Sequence, residues 1–156
     1  MDTITETENE LNSEEIYKCN FFSFCGVHLA RIVKCYDGDT IHCVFKFDGK
    51  YQKFKIRMEG YDTSEMKPSL KIDTGVRAQL KEKALLAKEK LESLILNKNV
   101  YLFCNGYDKY GRILGTIKLK LDDVKTVNDI MIEEGFGYDY HGKTKKTGEE
   151  QLDVLG

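Results

Sequence analysis

Three short segments of this chain carry most of the side chains that could do chemistry. The first is Asp37-Gly38-Asp39, the second is Arg57 followed by the Asp-Thr-Ser-Glu run at 62–65, and the third is Asp-Lys-Tyr-Gly-Arg at 108–112. Hard carboxylate oxygens suit Ca²⁺ or Mg²⁺, guanidinium groups suit phosphate oxygens, and a further carboxylate can take a proton from water. This combination is typical of a metal-dependent phosphodiesterase.

Each segment by itself is a weak signal. Glycine-containing acidic turns connect strands in many proteins without binding a metal. The run at 62–65 could be an Asx or Ser/Thr turn held by local hydrogen bonds, and the run at 108–112 could be an ordinary β-turn. The functional prediction therefore depends on a fold that brings the three segments together.

The first half of the chain predicts strands that would position two of these segments. A β-branched and apolar run at 27–36 leads into the acidic turn, and apolar residues alternate with polar ones over 41–47. Asp48-Gly49 predicts a two-residue hairpin into a third strand, on which Arg57 lies on the polar face. Residues 59–72 read as a long loop that carries the 62–65 run.

The second half predicts a long helix, two strands and a short helix. Apolar residues recur three or four positions apart from an N-cap at Asp73 or Thr74 to about Asn97. Strands follow at 100–104 and 112–121, and Thr126 caps a short helix that Gly135 ends. We therefore predict an α+β, mainly β, fold: a five-stranded OB-type β-barrel with a long helix after strand 3 and a short helix after strand 5. Barrels of this type bind nucleic acids.

The charge of the chain is unevenly distributed. The net charge is −2, but residues 1–15 hold six acids and no Lys or Arg, which leaves 20 acids against 24 bases elsewhere. We predict an acidic disordered arm at 1–15, one domain at 16–146 with an apolar lead-in at its start, and a short tail at 147–156. The basic body could attract phosphate groups.

The composition argues against a membrane protein, a secreted protein and a zinc-binding protein. No apolar run approaches the roughly 20 residues that span a bilayer, and the acidic start is unlike a secretory signal. We therefore expect an intracellular protein that does not bind membranes. We also expect it to be a monomer. The five cysteines have no paired zinc spacing and are expected to be free thiols. The three histidines share no metal-binding spacing and are expected to be bystanders.

In this order and around these strands, the three segments resemble the staphylococcal-nuclease-like family, also called thermonucleases. The resemblance covers roughly residues 27–146 and implies a barrel that cleaves DNA and RNA with Ca²⁺ and leaves 3′-phosphate ends. It implies that Asp39, Asp62 and the carbonyl of Thr63 hold the metal, with Asp37 in the outer shell. It also implies that Arg57 and Arg112 bind phosphate and that Glu65 is catalytic.

Contacts with the substrate are expected from further residues. Lys109 and Tyr110 align with family residues that touch a terminal phosphate. Tyr138 and Tyr140 could offer stacking surfaces for bases, or could lie in the core or at its edge. The basic stretch of Lys143, Lys145 and Lys146 could follow a nucleic-acid backbone or be a solvated tail.

Two departures from the family pattern bear on activity. Ser64 stands where the family usually has proline, so the loop that carries Glu65 is expected to be looser and the enzyme slower. Only 16 residues follow Tyr140, so we expect the long third helix of the family to be shortened or absent.

The sequence thus favours a Ca²⁺-dependent endonuclease with little sequence specificity, because phosphate and metal contacts carry no base information. Oxygen ligands leave Mg²⁺ and Mn²⁺ open. The alternative from another class is a catalytically inactive barrel that binds nucleic acid or a protein tail.

Overall fold

The computed structural model describes residues 3–142 and 144–156. The helices are α1 (Thr3–Leu11), α2 (Thr74–Ile95), α3 (Val127–Glu133) and α4 (Gly148–Leu155), with a 3₁₀ helix at Glu14–Lys18. The strands are β1 (Cys25–Cys35), β2 (Thr40–Phe47), β3 (Lys50–Met58), β4 (Tyr61–Asp62), β5 (Asn99–Tyr107), β6 (Ile113–Lys118) and β7 (Tyr138–Asp139).

Five of these strands close into a barrel in the order β1-β2-β3-β6-β5. All the pairings are antiparallel except that of β3 with β6, which is parallel. The short strands β4 and β7 pair with each other outside the barrel. The predicted α+β fold with a five-stranded OB-type barrel is confirmed.

The hairpin between β2 and β3 forms as its sequence predicts. Phe47 pairs with Lys50, and both Asp48 (φ 52°) and Gly49 (φ 76°) lie in the left-handed region. Two successive residues with positive φ are the mark of a type I′ turn, whose twist matches that of the strands. This turn fixes the register that carries Arg57 to the end of β3, where it pairs with Thr40.

Helix α2 closes one side of the barrel. The carboxylate of Asp73 caps it by accepting hydrogen bonds from the amides of Gly75 and Val76. Ala87, Leu91 and Ile95 belong to the main core and are buried, while one lysine of the helix is exposed and the other three are half-buried. The long predicted helix is therefore confirmed, and it ends two residues before Asn97.

The N-terminal segment contributes little to the barrel. Where the sequence predicts a disordered arm, the structure has helix α1, in which no residue is buried, and Met1 and Asp2 lie outside the described residues. Of the apolar lead-in, Phe24 is buried, with its ring centroid 6.1 Å from that of Phe45 and 5.6 Å from that of Phe54. Residues 14–23 are exposed.

The C-terminal segment holds the short helix α4, eight residues long, in the region predicted as a tail. Gln151 and Leu155 are buried, and the helix packs on α2. Within the described residues, no helix has both the length and the apolar character that crossing a membrane requires.

All five cysteines are free thiols, as predicted. Cys35, Cys43 and Cys104 are buried, and burial raises the pKa of the Cys35 and Cys43 thiols to about 12. These groups therefore stay protonated at neutral pH and act as small apolar core residues.

Candidate active site

The acidic turn between β1 and β2 is held by its own backbone and by α2. Oδ1 of Asp37 accepts hydrogen bonds from the amides of Asp39 (3.0 Å) and Thr40 (2.8 Å). A Cβ on Gly38 would lie 2.7 Å from Cβ of Ala87 in α2, closer than real Cβ contacts come. Glycine is therefore required here because the turn packs directly on the helix.

Arg57 joins the acidic turn to the 62–65 loop. Its side chain is 6% exposed; Nη1 donates to the carbonyls of Met58 (2.7 Å) and Tyr61 (3.0 Å). Nη2 lies 3.2 Å from Oδ1 of Asp62 and 3.4 Å from Oδ2 of Asp39. Two carboxylates that are 23 residues apart in sequence thus meet at one buried guanidinium.

Hydroxyl groups complete the hydrogen bonding of the two carboxylates. Asp39 accepts from Thr40 Oγ1 at 3.0 Å and from Thr63 Oγ1 at 3.2 Å. Asp62 accepts from the phenol of Tyr138 at 2.8 Å through Oδ2, and the side chain of Asp62 is 1% exposed. These hydroxyl partners are neutral and do not balance the negative charge of the two carboxylates. That charge is therefore balanced by few cations.

The pKa values record this crowding of negative charge. Burial, and then the neighbouring Asp39 carboxylate, raises the pKa of Asp37 to about 7. Burial and then Asp39 also raise the pKa of Asp62. Burial acts on Asp39 in the same direction, but the Arg57 charge and hydrogen bonds from its neighbours hold the pKa of Asp39 below its usual range. Asp39 is therefore the carboxylate of the three that most readily stays ionised.

The segment at 108–112 holds the second arginine. Oδ1 of Asp108 accepts from the amides of Tyr110 and Arg112, both at 2.9 Å, and Oδ2 accepts from Nε of Arg112 at 2.7 Å. Gly111 permits the turn with a φ of 81°. The Arg112 guanidinium also lies over the Tyr110 ring, 5.6 Å from its centroid. Its two terminal nitrogens have no hydrogen-bond partner among the described residues.

A cavity of about 320 Å³ connects the two arginines. Arg57 lines it at the carboxylate cluster, and Arg112 lines it at the turn that it shares with Lys109 and Tyr110. Residues of the C-terminal segment, Tyr140 and Lys145, also line it. The structure thus brings together Arg57, Arg112, Lys109, Tyr110 and Tyr140 around one cavity, with Asp39, Asp62 and Thr63 behind Arg57.

Two of the predicted site residues lie outside this arrangement. Glu65 is exposed, does not line the cavity, and makes no hydrogen bond or ion pair within the part of the chain that the structure describes. Tyr138 is buried and bonds to Asp62, which corresponds to the core alternative rather than to a stacking surface. Of the basic stretch, Lys145 and Lys146 are described and Lys143 lies outside the described residues.

Sequence reasoning missed several residues that build the site. Tyr61 is buried and donates a hydrogen bond from its phenol to the Gly38 carbonyl at 2.8 Å, which ties β4 to the acidic turn. Asn128 donates to the carbonyls of Glu59 (2.8 Å) and Gly115 (3.1 Å) and accepts from the amide of Ile117. Its place one residue after Val127 at the start of α3, next to an apolar stripe, was the only available signal.

The donor set fits a hard divalent cation. No three His, Cys, Asp or Glu side chains are arranged to hold a metal in residues 3–142 and 144–156. The proposed set has only two such side chains, Asp39 and Asp62, plus the Thr63 carbonyl, and Ca²⁺ commonly completes its 6–8 oxygen ligands with water or substrate. The raised pKa values of Asp37 and Asp62 show an excess of negative charge that such a cation would relieve.

The barrel and its acid–arginine cluster define a protein of the nuclease-like OB class, and comparison with protein families supports that class. Residues 55–155 match the family described as Staphylococcal nuclease homologue. The chain therefore belongs to this family. The match begins in β3 and contains Arg57, Asp62, Glu65 and Arg112, whereas the acidic turn precedes it. Comparison with curated proteins gives no match for this chain.

Proposed function

We propose that this protein is a Ca²⁺-dependent endonuclease that hydrolyses phosphodiester bonds of DNA and RNA and leaves 3′-phosphate ends. One observation carries the proposal: Arg57 contacts both buried carboxylates and also lines the cavity that holds Arg112. In this proposal, the carboxylate oxygens hold the metal and the two guanidinium groups bind the same phosphodiester linkage. Membership of the nuclease family supports the same activity.

Asp39, Asp62 and the carbonyl of Thr63 are the residues that would hold Ca²⁺. Bound there, the ion would neutralise charge on a phosphate oxygen and favour the more highly charged transition state. Asp37 stays in the outer shell because its Oδ1 is committed to the amides of its own turn. Mg²⁺ and Mn²⁺ are tested as alternatives below because oxygen donors also suit them.

The two arginines would bind the phosphate from different sides of the cavity. Both terminal nitrogens of Arg112 are without a hydrogen-bond partner in the part of the chain that the structure describes, and Asp108 fixes the plane of the guanidinium through Nε. Arg57 is oriented by its two carbonyl contacts through Nη1, so that Nη2 can exchange a carboxylate for a phosphate oxygen. Planar guanidinium groups suit the growing charge of the transition state better than lysine does.

Glu65 is proposed to orient or deprotonate the attacking water. The oxygen of this water forms the new bond to phosphorus, in line with the departing 5′ oxygen. The phosphate therefore remains on the 3′ side. Since Glu65 is exposed and three residues after Asp62, the loop must turn its carboxylate toward the cavity when substrate binds. Phosphate and aromatic contacts carry no base code, which accounts for the proposed lack of sequence specificity.

The test is a cleavage assay on plasmid DNA and single-stranded RNA, with Ca²⁺, Mg²⁺, Mn²⁺ or EDTA. Arg112→Ala and Glu65→Gln should each reduce the rate on the order of 100-fold, the scale for loss of one transition-state donor. Arg31→Ala and Glu82→Gln, exposed residues outside the site, are the matched controls and should change it less than twofold. Products should be labelled by polynucleotide kinase at the 5′ end without prior phosphatase treatment.

Nucleic-acid binding without cleavage in every metal would refute the enzyme and leave the inactive binding barrel. Unchanged cleavage by both Arg112→Ala and Glu65→Gln would show that a nuclease is present but that its site lies elsewhere.

A further inference from the structure

Lys145 lies where the carboxylate cluster meets the cavity. Its Nζ is 3.7 Å from Oδ2 of Asp62, and the residue also lines the cavity together with Arg57 and Arg112. The side chain of Lys145 is 47% exposed, whereas that of Asp62 is 1% exposed. A half-exposed cation therefore faces a buried carboxylate that is proposed to bind metal.

The contact between the two residues is of a kind that breaks readily. A separation of 3.7 Å is longer than a hydrogen bond, and an ion pair with a half-exposed lysine is screened by water. No other polar contact of the Lys145 side chain is found within the described residues. The ammonium is held near Asp62 by charge, and its flexible stem leaves it free to move.

The charge of the cluster explains why a cation sits there. The carboxylates of Asp39 and Asp62 share the single guanidinium of Arg57, and the carboxyl group of Asp37 lies beside Asp39. Among residues 3–142 and 144–156, Lys145 is the second positive group that forms an ion pair with Asp62, after Arg57. A divalent cation on Asp62 would repel the Lys145 ammonium and neutralise the carboxylate that attracts it.

We propose that Lys145 is an exchangeable counter-cation: it neutralises Asp62 while no divalent cation is bound, and it moves into the cavity to bind a substrate phosphate once Asp62 holds one. This inference rests on the proposed function, because it requires both a metal at Asp62 and a phosphate in the cavity. It predicts two effects of opposite sign for the loss of the lysine. Binding of Ca²⁺ becomes tighter, and binding of nucleic acid in Ca²⁺ becomes weaker.

The neighbouring Lys146 provides a matched control. It carries the same charge one position along the chain, but its Nζ lies over the Tyr138 ring, 5.7 Å from the centroid. Lys146 does not line the cavity and makes no ion pair among the described residues. A general electrostatic effect would change both variants equally, whereas the proposed exchange concerns Lys145 alone.

The first measurement is calorimetric titration of the full chain with CaCl₂ in the absence of nucleic acid. Lys145→Met keeps the aliphatic stem and should bind Ca²⁺ about two- to fivefold more tightly than the unmodified chain, the scale of one screened ion pair. Lys146→Met should change the dissociation constant by less than about twofold.

The second measurement is the fluorescence anisotropy of a labelled eight-nucleotide single strand, with every variant in a Glu65→Gln background to prevent cleavage. In Ca²⁺, Lys145→Met should weaken binding about three- to tenfold. It should also make the negative slope of log K against log salt shallower by about 0.7, the value for one phosphate contact. In EDTA the two chains should bind within about twofold of each other, because Lys145 is then engaged with Asp62.

The results separate this inference from the proposed function. If the unmodified chain cleaves in Ca²⁺ but Lys145→Met binds Ca²⁺ no more tightly than Lys146→Met, the exchange is refuted and the nuclease stands. Equal weakening of strand binding in Ca²⁺ and in EDTA would likewise refute the exchange. If the unmodified chain binds no Ca²⁺, the metal site and the exchange both fall.

Discussion

The two arginines of the site should differ sharply in what they contribute to stability, although both should be needed for activity. We consider Arg57→Met and Arg112→Met, which remove the charge and keep an unbranched side chain of similar reach. Arg57 is buried and bonds to two carbonyls and two carboxylates. Arg112 is 33% exposed and makes one ion pair, with Asp108.

The magnitudes follow from the groups that each substitution leaves behind. Removing Arg57 leaves Asp39 and Asp62 buried without their shared cation, and breaking one partner of a buried pair costs about 3–5 kcal/mol. Protonation of the carboxylates limits this cost, so we expect about 3 kcal/mol at pH 7 and less at pH 5. Removing Arg112 should cost less than about 1 kcal/mol, since Asp108 still accepts two backbone amides and is partly solvated.

The assay is urea unfolding in EDTA, followed by circular dichroism, together with initial rates of cleavage in Ca²⁺. Both variants should lose on the order of 100-fold in rate. If Arg57→Met does not fold, Arg57→Lys, which keeps the charge, should fold and still be destabilised by more than Arg112→Met. A loss of stability below about 1 kcal/mol for Arg57→Met, or equal losses for the two arginines, would refute the reasoning.

Three further predictions concern the surroundings of the cluster. The folded-state pKa of Asp37, about 7, exceeds its usual 3.8, so the contribution of Asp37 to stability falls as pH rises between these values. In EDTA, the free energy of unfolding of Asp37→Asn should therefore rise by about 2 kcal/mol relative to that of the unmodified chain between pH 5 and pH 8. A gain that is independent of pH would contradict this. Gly38→Ala should destabilise by about 1–3 kcal/mol and weaken Ca²⁺ binding, because its methyl group meets Ala87; calorimetry with an unchanged affinity would argue against it. Tyr138→Phe should cost about 1–3 kcal/mol in urea unfolding by removing a donor from buried Asp62, and a cost near zero would show that the hydrogen bond is not needed.

Local sequence signals predicted the parts of the fold that depend on local interactions. The β2–β3 hairpin follows from Asp48-Gly49, whose two positive φ angles suit these residues. Helix α2 follows from its apolar period and from the Asp73 cap. By contrast, the parallel pairing of β3 with β6 joins Ile56 to Ile113 across more than 50 residues, and no local pattern specifies it.

The candidate site likewise has residues that the sequence predicts and a contact that it does not predict. The types of residue and their order pointed to Arg57, Asp39 and Asp62, and the resemblance to a family supplied their convergence. The ion pair of Lys145 with Asp62 joins residues 83 positions apart and depends on how the segment after β7 returns to the end of β4. Sequence patterns cannot give such a contact, because it is set by the packing of two irregular segments.

The contacts of Arg57 predict how binding of the proposed metal and binding of the proposed substrate would depend on each other. Nη1 is occupied by main-chain carbonyls, and Nη2 is shared between Asp39 and Asp62, so both terminal nitrogens are engaged by the described residues before any metal binds. Any cation that takes over the two carboxylates frees Nη2, and the same replacement releases Lys145 from Asp62. One binding event would thus prepare two phosphate contacts, which by linkage makes a bound phosphate strengthen the hold on the cation. Calorimetric affinity for Ca²⁺ should therefore rise when the eight-nucleotide strand is present with Glu65→Gln, and an unchanged affinity would show that the two sites act independently.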